Sequence, residues 1–153
     1  MILLDSSFLI AFHNARDVHH QEARRAMERL LGGEWGQALL LEYVFLEVVT
    51  VLAARCGLAT AVDVGQTLLR AREVDFLPCS EIFVDAFQTF REMGDRGLSF
   101  TDAAIVAVAR REGALPIATF DTDFKGVEGL SVIPEEPRMS APTTDHDAGL
   151  DNP

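Results

Sequence analysis

The sequence predicts an α/β fold, a parallel sheet with helices on both faces. Short, continuous apolar runs such as Met1–Leu4 lack the alternation of a half-solvated strand and fit strands buried on both faces. These runs alternate with segments of helical periodicity, the pattern of β–α–β units. A chain of 153 residues, 48% of them hydrophobic, suits one domain. Such a chain buries roughly 68–70% of its extended surface on folding, without a disulfide or metal staple.

The elements follow in order. Met1–Leu4 is the first strand, ending at Asp5. Asp17 is placed to cap a helix running to about Leu31, with Ala23, Ala26, Met27, Leu30 and Leu31 on one stripe and Gly32-Gly33 as the stop. Gln37–Leu41 reads as a second strand, and Glu42–Arg55 as a helix that is apolar nearly all round and ends before Gly57. Thr60–Glu73 and Ser80–Met93 read as helices, with the strand Val74–Leu77 between them. Ser99–Glu112 opens with S-F-T-D, the signature of a capping box, and closes at Gly113. Pro116–Thr119 and Ser131–Ile133 complete the strands. Residues 1–133 thus form one domain. The segment 134–153 holds four prolines, five acids and hardly any large apolar side chain, and is expected to be a disordered acidic tail.

Composition excludes several classes. The two cysteines, Cys56 and Cys79, match no ligand spacing, which argues against a disulfide scaffold or zinc module and for a reducing cytoplasm. No signal peptide and no membrane span is expected, because the amino terminus lacks a basic region and no apolar stretch reaches roughly 18 residues. Twenty-four acids against thirteen bases give a net charge of −11, which opposes non-specific binding to nucleic acid. There is no phosphate-binding glycine loop and no Ser/His/Asp grouping around a nucleophile. His19 and His20 are neighbours that diverge by about 100° on a helix, so they cannot chelate one ion together. They read as surface or first-turn residues.

Four acids stand out by position. Ligands of an α/β sheet bind outside the carboxyl ends of its strands. Asp5 follows the first strand and Asp121 follows another, in P-I-A-T-F-D-T-D-F. Each taken alone is equally a cap or turn residue. Glu47 lies within Y-V-F-L-E-V-V-T-V-L, a helix with no polar face to hold it. Desolvating a carboxylate there costs several kcal/mol, so it must meet an arginine, a cation or water in a cleft. Glu42 lies about 140° round the same helix and reads as a first-turn acid favoured by the helix dipole. Asp102 is sufficiently explained as the third residue of the Ser99 capping box, yet the helix it opens is apolar enough to be buried, with its start facing the same crevice. Carboxylates brought together in this way are ligands for a hard cation such as Mg²⁺ or Mn²⁺, able to activate water on a phosphodiester.

The blocks I-L-L-D-S-S-F-L-I, Y-V-F-L-E-V-V-T-V-L, G-L-S-F-T-D-A-A-I-V-A-V-A-R-R-E-G and I-A-T-F-D-T-D-F, in this order over residues 1–133, resemble the PIN-domain family. Within it they are most similar to VapC-type toxin ribonucleases of prokaryotic toxin–antitoxin pairs. The resemblance implies a PIN-like three-layer α/β/α sandwich with a parallel central sheet, and Mg²⁺- or Mn²⁺-dependent endonucleolytic cleavage of RNA. It places Asp5, Glu47, Asp102 and Asp121 on the acidic metal-binding quartet, with secondary roles for Asp123 and for Ser7. It also implies a homodimer and a small VapB-like antitoxin that blocks the site with a basic segment.

The tail is not a feature of that family. Basic residues that could meet RNA are Arg24, Arg25 and Arg29 on one helix and Arg110-Arg111 at the end of another, each equally readable as part of a solvated, salt-bridged face. Two alternatives stay open: a PIN-fold protein-binding module without turnover, and a Mg²⁺-dependent phosphatase built on Asp5, which leaves Glu47 unexplained.

Overall fold

A computed structural model describes residues 1–134. The expected tail lies outside the described residues, apart from Pro134. Five strands form one sheet: β1 (Ile2–Leu4), β2 (Ala38–Leu41), β3 (Val74–Leu77), β4 (Ile117–Ala118) and β5 (Val132–Ile133). Their order is β3-β2-β1-β4-β5, and every neighbouring pair is parallel. The helices are α1 (Ser6–His13), α2 (His20–Leu31), α3 (Glu42–Cys56), α4 (Leu58–Arg70), α5 (Phe83–Met93) and α6 (Phe100–Arg111). This is the three-layer α/β/α sandwich.

The strands are continuously apolar because both faces are covered; Ile2, Leu3 and Leu4 of β1 are all buried. Leu3 sits between Leu39 on one side and Ile117 on the other. From β1 the chain steps outward through β2 to β3, then crosses back over β1 to begin β4. The order therefore reverses between β1 and β4, and at such a switch point a crevice opens outside the carboxyl ends of the strands. Helix α6 lies against the core through Ala103, Ala104, Ile105, Val106, Val108 and Ala109, three of them alanines that allow close approach.

The structure corrects the expected elements at several points. Residues 6–13, which carry no helical periodicity in the sequence, form α1. Four consecutive buried residues (Phe8 to Ala11) erase the polar stripe that would have marked a helix. Asp17 accepts from the His19 backbone N–H at 2.9 Å, but the helix opens at His20, with His19 in the capping position and no side-chain cap. The expected helix over 60–73 runs instead from Leu58 to Arg70. The one over 80–93 is broken at Ile82, where a single 3-10 turn (Cys79–Glu81) gives way to α5. Glu42 explains that turn: its carboxylate accepts from the Cys79 N–H at 2.8 Å, tying the start of α3 to the end of β3.

Candidate active site

Asp5 is the hub. It leaves β1, caps α1 by accepting from the Ser7 N–H, and is almost completely buried. Its Oδ2 receives the Ser7 hydroxyl at 2.6 Å and the Thr119 hydroxyl at 2.8 Å. Both hydroxyls are bonded in turn to the far side of the switch point. Ser7 Oγ accepts from the Phe120 N–H at 2.9 Å, and Thr119 Oγ1 accepts from the Asp121 N–H at 2.9 Å. Two short relays thus lash the end of β1 to the segment after β4, and Asp121 is held in register with Asp5. Among the described residues, Oδ1 of Asp5 has only the 3.5 Å contact with the Ser6 hydroxyl, so its lone pairs are largely uncommitted.

The other two acids arrive from helices. Glu47 is half-buried on α3. Burial raises its carboxyl above the ordinary glutamate range, the charges of Asp5, Asp102 and Asp121 push the same way, and the Ser6 hydroxyl opposes them. Asp102 completes the capping box of α6: its Oδ2 accepts from the Ser99 N–H at 2.7 Å, and its own N–H donates to Ser99 Oγ at 3.1 Å. Burial raises its carboxyl too, with Ser99 opposing and Asp5 and Asp121 adding to the rise. Each of these two acids therefore feels Asp5 and Asp121, so two strand ends and two helices direct negative charge into one crevice. Like charges so placed call for a cation.

The ion pairs seen among the described residues lie elsewhere, joining Arg29 to Glu34 and Arg111 to Glu112. Among the described residues no three His, Cys, Asp or Glu side chains stand where they would hold one ion together. The donor set nevertheless suits a hard divalent cation, because it is all oxygen and because Mg²⁺ keeps several waters and takes only one or two carboxylates directly. Asp5 and one neighbouring acid would hold such an ion directly, and the remaining acids would hold its waters.

The secondary residues divide. Ser7 is at the centre of the site. Asp123 is exposed in the 3-10 segment Thr122–Gly126, and its N–H donates to Asp121 Oδ1 at 2.9 Å, so it orients Asp121 through the backbone. Arg24 and Arg25 are exposed on α2. Arg29 bonds Glu34 and lies 4.7 Å over the Trp35 ring. Arg110 and Arg111 end α6, at the opposite end from Asp102. Thr119 and Ser6 are polar groups the sequence reading passed over. A threonine two residues before a strand-end aspartate was the available signal for the first.

Residues 2–130 match the PIN domain, and the chain belongs to the PIN-domain family. Among its relatives is the 23S rRNA-specific endonuclease VapC20 of Mycobacterium tuberculosis, 30% identical over 139 residues, which span 88% of this chain and 100% of that protein. The crystal structure of VapC20, a Sarcin-Ricin loop cleaving toxin, superimposes with a TM-score of 0.72 at 28% identity, covering 82% of this chain and 93% of that one. The structure of VapBC2 from Rickettsia felis, bound to a DNA fragment from its promoter, has a TM-score of 0.63 at 15% identity over 86% and 97% of the two chains, a likeness of fold alone.

Proposed function

We propose that this protein is a Mg²⁺- or Mn²⁺-dependent endoribonuclease, the toxin of a VapBC-type toxin–antitoxin pair, with Asp5, Glu47, Asp102 and Asp121 as its metal-holding acids. One observation carries the reading: four carboxylates from separate elements share one crevice at the switch point, and two of them are raised by burial and by their neighbours. Kinship to VapC20 supports the choice of RNA, with large-subunit ribosomal RNA the first substrate to try.

A divalent cation bound here supplies Lewis acidity, lowering the pKa of water and offsetting charge on the phosphodiester. The chain's own groups do the positioning. Ser7 and Thr119 hold Asp5 Oδ2, which leaves Oδ1 available to a ligand. Asp102 is fixed by its cap. Glu47, half-buried on α3, would hold the cation or one of its waters. No protein nucleophile is required. An acid-lined crevice also suits a basic antitoxin segment, and the dimer implied by the family belongs to the same reading.

The test is cleavage of total RNA and of ribosomal RNA by purified protein with Mg²⁺, with Mn²⁺ and with EDTA. Discrete products that depend on metal and vanish in Asp5→Asn and Asp102→Asn, both still folded by circular dichroism, are expected. Full cleavage by a folded Asp5→Asn protein overturns the site. A folded, antitoxin-free wild type that cleaves nothing at any salt returns the protein to a binding module.

A further inference from the structure

Beside the acids a stack of three rings runs from the core to the surface. Phe8 is fully buried in α1, and its ring lies 6.2 Å from that of Phe120 at an interplanar angle of 25°. Phe120 in turn carries the imidazole of His19, with centroids 4.4 Å apart and planes within 9° of parallel. Such offset-stacked spacings are those that aromatic pairs favour. His19 nevertheless remains exposed.

Both supports of the stack are tied down. Phe120 donates its N–H to Ser7 Oγ, the hydroxyl that also holds Asp5, and it directly precedes Asp121. His19 is anchored through its N–H to Asp17, and the neighbouring His20 places Nδ1 2.8 Å from the Ala11 carbonyl. Although His19 occupies the capping position of α2, its side chain makes no capping bond, so helix capping does not account for the ring.

A cleft of about 210 Å³ opens alongside, lined among others by His19, Phe120, Asp121, Glu22, Thr122 and Lys125. That is below the roughly 300–1,000 Å³ of sites for drug-sized ligands and leaves room for one ring system. Glu22 and Asp121 outweigh Lys125 on its wall, so the lining has no net positive charge to draw a phosphate into the cleft itself. A neutral planar group is what remains, and every nucleobase offers a π-face to an aromatic platform.

We propose that this cleft, resting on the endoribonuclease reading, receives the unpaired nucleobase next to the scissile phosphate, stacked on the His19 imidazole that Phe120 backs. His19 is then a substrate-positioning residue, and the relay through Ser7 sets the distance between the seated base and the metal-holding acids. Stacking also gives a strongly acidic protein a hold on RNA that does not depend on cationic side chains.

The experiment uses the full chain and a single-stranded oligoribonucleotide of mixed sequence carrying one 2-aminopurine, whose fluorescence falls when it stacks. Binding is followed in EDTA, and kcat and KM are measured with Mg²⁺ on the best-cleaved RNA, for wild type, His19→Ala and His19→Phe. Loss of one stacked base is worth about 1–3 kcal/mol, so His19→Ala is expected to raise KM and Kd about 5- to 150-fold, with kcat within twofold and the quench lost. His19→Phe should restore all three. A His19→Ala protein that binds, quenches and cleaves like wild type overturns the cleft. So does one in which both variants lower kcat and Tm while KM stays put, since that is a structural role. Wild type that quenches through His19 but cleaves no RNA overturns the nuclease reading and leaves the cleft standing. Neither binding nor cleavage overturns both.

Discussion

Glu47 is held against its own electrostatics. It is half-buried on α3 with three other acids acting on it and one opposing hydroxyl, so in the absence of a cation its charge weakens the folded state. The unfolded chain carries the same carboxylate in water at no such disadvantage. Removing the charge while keeping the shape should therefore stabilise the protein. Glu47→Gln is expected to melt a few degrees above wild type in EDTA by differential scanning fluorimetry, and to lose cleavage. Mg²⁺ should then raise the wild-type Tm by more than it raises that of the variant, because a ligand that binds only the folded state stabilises it in proportion to its affinity. A variant that melts at or below wild type in EDTA would mean that a group of the protein, and not a bound cation, offsets the charge of Glu47. This residue was legible in the sequence for the reason that makes it costly, a carboxylate inside Y-V-F-L-E-V-V-T-V-L with no polar face around it. His19 was not, because an exposed histidine at a helix start looks the same in sequence whether or not a ring from a distant strand end lies beneath it.

At the scale of the element, α6 shows how one capping box serves both fold and site. Ser99 accepts from the Asp102 N–H, and Asp102 accepts from the Ser99 N–H, so the cap sets where the Asp102 carboxylate points. Ser99→Ala is expected to cost about 0.5–2 kcal/mol through loss of the cap. For a domain of this size that lowers Tm by roughly 2–4 °C per kcal/mol. Cleavage should fall as well, since Asp102 is no longer held. Ser99→Thr, which keeps a hydroxyl cap, should recover both, and thermal melts run beside the cleavage assay decide it. This helix was readable because S-F-T-D carries its own start signal and Gly113 its stop. The first helix was not, since Ser6–His13 buries Phe8, Leu9, Ile10 and Ala11 in succession and so shows no periodicity. The break at Ile82 was equally hidden, because it arises from Glu42 bonding the Cys79 backbone across 37 positions of sequence. Parallel strands were legible from their unbroken apolar runs; their order, and with it the switch point between β1 and β4, was not, because pairing across the sheet leaves no local mark.

For the whole molecule, the tension is between a net charge of −11 and a polyanionic substrate. Of the five arginines that looked available to RNA, Arg29 and Arg111 already bond carboxylates, and Arg110 shares with Arg111 the end of α6 remote from Asp102. Arg24 and Arg25, exposed on the helix whose start carries His19, are the two of the five that remain. Affinity for single-stranded nucleic acid falls with salt at a logarithmic slope of about −0.7 for each phosphate contact. With one or two such contacts, raising KCl fourfold at fixed Mg²⁺ should lower kcat/KM by about three- to sevenfold. A protein gripping RNA through eight or ten cations would lose a thousandfold or more over the same range. Stacking of a base and coordination through a carboxylate-held cation both resist screening far better than surface ion pairs do, so a shallow slope is what this charge distribution requires. The measurement is kcat/KM at subsaturating RNA across a KCl series, for wild type and for Arg24→Ala/Arg25→Ala. The double variant should flatten the slope further. A steep slope that survives it would place the phosphate contacts on another face of the molecule.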